Sequence, residues 1–177
     1  MVDYSRYGLG IPLPVKRKVF VSYHHGGDQY YYDDFSRHFD ENYQILRDNS
    51  LERKVQSDDV EYVMRQIREN YVSGSSCTIV LCGTQTPFRK YVDWEISATL
   101  DKQHGLIGVK LPTLQVVNNG CAKPERLQDN LDSGYAVWTW WESIISQPAE
   151  FAKLIEQANN KSKELIVNTR ARRLRNG

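Results

Sequence analysis

Residues 77–111 read CTIVLCGTQTPFRKYVDWEISATLDKQHGLIGVKL, and their reading decides the fold class. Thr78 to Leu81 (TIVL) is a short, β-branched and largely apolar run of the kind that forms a strand covered on both faces. Gly83-Thr84-Gln85-Thr86 makes a turn, and Pro87 favours helix initiation. Val92, Ile96 and Leu100 then recur every four residues as the buried stripe of a helix. Gly105 is expected to stop that helix, and Leu106 to Leu111 forms a further strand. Strand, helix and strand make a βαβ unit, which requires parallel strands. Open sheets of this kind bind ligands outside the carboxyl ends of their strands, so Glu95, on the helix after the central strand, draws attention.

The same alternation extends outward. Residues 1–16 hold Gly8, Gly10, Pro12 and Pro14, too many breakers for a regular element, and read as an irregular arm. Lys18 to His24 (KVFVSYH) is expected as the first strand. Asp28, after Gly26-Gly27, is a candidate N-cap for a helix carrying Phe35 and Phe39 to about Tyr43. Gln44 to Arg47 reads as a second strand opening into Asp48-Asn49-Ser50, polar residues suited to a ligand-facing loop. Ser57-Asp58-Asp59 caps a helix whose apolar positions Val60, Val63, Met64, Ile67 and Tyr71 step by three and four. Residues 112–134 read as a loop long enough for a lid or a short helix. Tyr135 to Trp141 reads as a fifth strand, and a last helix from Pro148 turns Phe151, Leu154, Ile155 and Ala158 inward. This order predicts an α/β fold with a doubly wound, parallel, five-stranded sheet.

A chain of 177 residues suits one domain with a real core. Its 23 basic and 22 acidic side chains nearly cancel, which argues against nucleic acid or an acidic membrane as partner. Arg170, Arg172, Arg173 and Arg175 read as a frayed, solvated tail, with nucleic-acid or lipid contact as the alternative. No apolar run approaches a membrane span and no signal peptide is apparent, so a cytoplasmic protein is expected. Cys77 and Cys82, five apart on one strand, should face opposite sides as core thiols; Cys121 reads as a loop thiol.

Several chemistries are excluded. The chain contains no G-x-x-x-x-G-K-[ST], and its one G-x-G is followed by Pro12, so neither a P-loop nor a dinucleotide fingerprint is present. Cys82-Gly83-Thr84 stands where a phosphorelay receiver needs an aspartate. His24 and His25, read as adjacent strand residues, face opposite ways and make no metal site with Asp28. Glu95 has two readings. On an exposed helix face it would be a solvated residue paired with Arg89 or Lys102. Beside the buried stripe and next to Trp94, a partly shielded carboxylate is costly unless it is paired or used. One carboxylate suffices to cleave nicotinamide from NAD, because the leaving group is already cationic and the oxocarbenium-like transition state gains from a nearby negative charge.

These residues resemble a family. VFVSYHHGGD resembles the opening of TIR domains, where a hydrophobic strand ends in Ser-Tyr or Ser-Phe and an Asp follows. The stretch from Thr78 to Leu111 is similar to the TIR-like branch typified by the NAD-consuming TIR protein of Thoeris antiphage systems. The shared features fall on Gly83 with Thr86, Arg89, Tyr91-Val92 and Trp94-Glu95-Ile96, and Asp48-Asn49-Ser50-Leu51 resembles the second-strand loop. The resemblance covers roughly residues 17–111. It implies a flavodoxin-like TIR fold over residues 17–160, between the arm and a helix end with basic tail at 161–177. It also implies NAD as substrate with no other cofactor and no metal, and Glu95 as catalytic residue. Ser22, Tyr23, His24, Asp48, Ser50 and Trp94 are then expected to form the NAD cleft, Tyr23 by stacking on a ring and His24 by donating to phosphate or ribose. The implied product is ADP-ribose or a cyclic ADP-ribose isomer that signals to a separate effector protein, with a phage-derived trigger and homo-oligomerisation as means of control. The other class is a non-enzymatic TIR-like interaction module, with Glu95 as surface charge.

Overall fold

The computed structural model describes residues 16–47 and 59–177. The strands β1 (Arg17–Ser22), β2 (Tyr43–Arg47), β3 (Cys77–Cys82), β4 (Gly105–Lys110) and β5 (Val137–Trp140) form one sheet in the order β2-β1-β3-β4-β5. Every neighbouring pair is parallel. This is the flavodoxin-like arrangement, and its order reverses at β1 and β3, whose carboxyl ends therefore flank a crevice.

Alternation along the strands divides the core into two layers. On one face Val19, Val21, Ile79 and Leu81 pack against Phe35 and Phe39 of α1 (His25–Phe39) and Phe151 and Ile155 of α6 (Pro148–Asn159). On the other, Phe20 meets Val63 and Met64 of α2 (Val60–Gln66), while Val80 and Cys82 meet Val92 and Ile96 of α3 (Lys90–Asp101) and Leu127 of α4 (Glu125–Asp132). Cys77 and Cys82 separate onto the two faces as expected, and burial pushes the Cys77 thiol up to about 12. The short α5 (Trp141–Ser146) joins β5 to α6.

Element boundaries shift where backbone geometry overrides pattern. The first strand ends at Ser22 rather than His24, and α1 begins at His25 rather than after an Asp28 cap. His24 is the N-cap; its carbonyl accepts from the amides of Gly27 (3.2 Å) and Asp28 (2.8 Å). His24 and His25 are thus not paired strand residues. Gly26 and Gly27 fall in the first helical turn, where the amides need no partner one turn back. Asp59, of the trio expected to cap α2, does so, accepting from Glu61 N and Tyr62 N. The helix then continues as a π-helical turn (Ile67–Val72), which brings Ile67 and Val72 into the Phe20 layer. Pro87 lies in a 3-10 turn (Thr86–Phe88) ahead of α3. Gly105 does not stop α3: the left-handed residue is Gln103, at φ 57°, and Gly105 opens β4. Residues 112–134 hold a two-residue hairpin at Asn118-Asn119, both at positive φ as a type I′ turn demands, and then α4.

The basic C-terminal segment is not a frayed tail. After α6 and a 3-10 turn (Lys163–Leu165), residues 166–177 run as an extended strap across α4, α3 and α2. Arg170 is bidentate to Asp129 at 2.8 and 2.9 Å, which holds that carboxyl below its usual range, and Arg172 reaches Glu61 at 2.8 Å. Charge that looks solvated in sequence is paired because the strap meets an acidic helical surface. No helix among the described residues is long and apolar enough to cross a membrane.

Candidate functional site

The carboxyl end of β1 delivers Ser22, and α3 lays Glu95 against it. Ser22 Oγ donates to Glu95 Oε2 at 2.5 Å, with both residues buried and Glu95 only 2% exposed. Glu95 therefore sits on the sheet side of its helix, and its reading as a solvated surface residue is overturned. One turn on, Thr99 Oγ1 lies 2.8 Å from Glu95 O and 2.7 Å from Thr78 Oγ1 of β3, seating the helix on the sheet through a buried polar column. A carboxylate without water is costly, and a short hydroxyl donor lowers that cost.

A second carboxylate occupies the same end of the sheet. Asp28, in the first turn of α1, is 3% exposed and lies on Gly83, just beyond β3. A Cβ built on Gly83 would fall inside the Asp28 carboxylate. Thr86 Oγ1 accepts from Gly83 N at 2.9 Å, and its proton faces Asp28 Oδ2 at 3.0 Å and Leu81 O at 3.2 Å. The Gly-x-x-Thr spacing thus has a physical cause: Gly83 leaves room for Asp28, and Thr86 closes the turn on both. Burial raises the Asp28 pKa, against the Thr86 hydrogen bond and the nearby His24. Sequence reading took Asp28 as a cap and missed this role; the signal was the Gly-x-x-Thr motif at the neighbouring strand end.

The other expected site residues divide. His24 is half-buried at the β1–α1 junction, with its ring over Gly26 and Gly27: a Cβ on either would come within 3.1 or 3.2 Å of it. It stays a candidate for the crevice. Tyr23 follows Ser22 by one residue and so points to the opposite face of the sheet, where it stacks on Tyr32 at 4.6 Å, meets the His25 ring at 4.2 Å, and donates to Gln29 Oε1 at 2.9 Å. Here it packs in the core beside α1, and its stacking on a substrate ring stays an expectation. Trp94, one residue before Glu95, is turned about 100° around the helix. Its indole packs with Phe20, Met64 and Ala98 and donates to Arg173 O at 2.7 Å, so here it walls the core, and its place in an NAD cleft stays an expectation. Asp48 and Ser50 lie outside the described residues. Among the described residues no group of three or more His, Cys, Asp or Glu is placed to hold a metal ion.

The arrangement can present a carboxyl group and a hydroxyl to a group entering from the carboxyl ends of β1 and β3. A search of curated proteins gives no match. A family model described as Thoeris protein ThsB, TIR-like domain, matches residues 20–116, more than half of the 177-residue chain, and that span carries Ser22, Asp28, Gly83, Thr86 and Glu95. The chain belongs to the Thoeris ThsB TIR-like domain family.

Proposed function

We propose that this protein is a TIR-type NAD-cleaving enzyme with Glu95 as the catalytic carboxylate. The observation that carries this reading is the buried Ser22–Glu95 hydrogen bond at the carboxyl end of the parallel sheet. In the reaction the bond between ribose C1′ and the nicotinamide nitrogen breaks, its electron pair passing to the cationic ring, which leaves neutral and needs no general acid. Positive charge grows on the ribose, and Glu95 stabilises it while accepting from a ribose hydroxyl. Water captures C1′ and loses a proton to solvent to give ADP-ribose, or a second nucleophile within the ADP-ribosyl group captures it to give a cyclic isomer, any proton on that nucleophile likewise passing to solvent. Ser22 holds the carboxylate between turnovers, and His24 flanks the entrance. A separate effector protein then reads the nucleotide. Because Glu95 is covered, the crevice must open to admit substrate, which fits control by a phage-derived trigger or by assembly of several copies. The same burial weakens the reading of Glu95 as surface charge in a non-enzymatic module.

The test is incubation of purified protein with NAD, with and without lysate from phage-infected cells, followed by mass analysis of nucleotides. Nicotinamide release that is lost in Glu95→Gln supports the reading. Intact NAD under both conditions overturns it.

A further inference from the structure

Asp93, Trp94 and Glu95 are consecutive in the first turns of α3, and the two that precede the carboxylate are tied to one residue of the C-terminal strap. Asp93 Oδ2 accepts from Arg173 N at 2.8 Å, and Trp94 Nε1 donates to Arg173 O at 2.7 Å. The start of the helix is held from the strap as well. Its own N-cap residue, Arg89, makes no capping hydrogen bond with its side chain. Instead Lys90 N donates to Asn176 Oδ1 at 3.0 Å, and Gly177 N donates to Phe88 O at 3.0 Å in the preceding turn. A helix terminus normally capped by its neighbour is here capped by a residue 86 positions away.

Arg126 of α4 completes the clamp. Its side chain is 1% exposed. It forks onto Asp93 at 2.9 and 3.3 Å and gives its remaining donors to Asn168 Oδ1 at 2.7 Å and Ala171 O at 3.2 Å. One guanidinium thereby joins α4, α3 and the strap, with geometry that an ammonium does not reproduce. Asn168 also reaches back along α3 to Ser97 O at 3.1 Å and Asp101 Oδ1 at 2.8 Å.

From this geometry we infer that the strap, through Asp93 and Arg126, positions Glu95: it fixes the rotation of α3 about its axis and so aims the carboxylate at Ser22. Asp93 and Arg126 are positioning residues, since neither touches the reacting atoms. Arg126 and residues 166–177 lie outside the span matched by the family model, 20–116, whereas Asp93 and Trp94 lie within it. Helix rotation is the coordinate that matters, because Glu95 projects from the axis while the hydrogen bond to Ser22 tolerates little displacement. The inference rests on Glu95 being the reacting group, and the experiment separates the two.

The chain is shortened to end at Ile166, and Asn176→Ala, Asn176→Asp and Arg126→Lys are made in the full chain. Each is measured for folding by circular dichroism, for NAD cleavage, and for the carbon-13 signal of the Glu95 carboxyl, assigned by its loss in Glu95→Gln. The shortened chain is expected to fold, to lose about tenfold or more in kcat with KM unchanged, and to recover when a peptide of residues 167–177 is added. Its Glu95 signal should move and return with the peptide. Asn176→Ala should lower kcat, and Asn176→Asp should restore it, because a carboxylate also caps a helix. A folded shortened chain with wild-type kcat and an unmoved Glu95 signal overturns the inference. If the shortened chain fails to fold, the Asn176 pair and Arg126→Lys decide in the same way. If the unaltered protein cleaves no NAD, the enzymatic reading fails, and the Glu95 signal alone decides whether the strap positions that carboxylate.

Discussion

Replacing Glu95 by Gln keeps the side chain's shape and an acceptor for Ser22 but removes the charge. A unit charge about 4 Å from a developing oxocarbenium is worth about 4 kcal/mol at an effective dielectric of about 20. Loss of one preorganised transition-state partner typically costs about 100- to 1000-fold in kcat, so the two figures agree. Stability should respond differently. The hydrogen bond from Ser22 at 2.5 Å loses its charge assistance, a loss of about 1 kcal/mol, while the desolvation penalty of a carboxylate only 2% exposed disappears. These oppose each other, so Tm should stay within about 4 °C of the unaltered protein. The assay is nicotinamide release at saturating NAD, with thermal melting of the same preparations. Undiminished turnover in Glu95→Gln would remove the residue from the mechanism. A drop in Tm of more than about 8 °C would mean that the buried ion stabilises the fold and that lost activity reports unfolding.

His24→Ala should raise the apparent KM for NAD by roughly fivefold, the equivalent of one hydrogen bond of about 1 kcal/mol, while α1 stays capped through the backbone carbonyl; unchanged kinetics would place the entrance elsewhere. Gly83→Ala should lower stability by about 1–3 kcal/mol in denaturant melts, because the new Cβ falls inside the Asp28 carboxylate, and a neutral result would contradict that packing. Asp28 has its pKa raised by burial, so its stabilising contribution is fully present below the ordinary value of 3.8 and is lost as pH rises through the folded-state value. Asp28→Asn should therefore match the unaltered protein in Tm below pH 3.8 and gain on it as pH rises; a gain confined to acid would reverse the sign and refute the assignment.

What the sequence makes legible here is whatever depends on short-range period. The apolar run of β3, the four-residue stripe of α3 and the opposite facing of Cys77 and Cys82 follow from strand and helix geometry alone. Glu95 is legible as a buried carboxylate because it lies beside that stripe. Azimuth within the site is harder, and Tyr23 and Trp94 show two degrees of it. Strand alternation alone sends Tyr23 to the face opposite Ser22. Trp94 could face either layer until the position of α2 was known, and that position depends on contacts distant in sequence. The strap was illegible for the same reason. Its holds on α3 and the turn before it run through the backbone of Arg173 and Gly177 and the side-chain amides of Asn168 and Asn176, and no charge pattern encodes these.

The placement of these restraints bears on how a covered carboxylate becomes accessible. On the α3 side Glu95 is surrounded by fixed points: the Thr78–Thr99 column beneath it, the Asp93–Arg126 fork beside it and the strap over its first turn. Moving α3 would break buried polar contacts that each leave a desolvated group behind, a cost of about 1–3 kcal/mol apiece. On the β1–α1 side the junction carries half-buried His24 and exposed Gly26 and Gly27. The His24 ring lies over Gly26 and Gly27, where a Cβ would come within 3.1 or 3.2 Å of it. On the reading proposed above, opening that leaves undisturbed the helix that aims Glu95 would come from the β1–α1 junction. On that reading accessibility and aim are governed from opposite walls of the site, so a change confined to the first leaves the second intact.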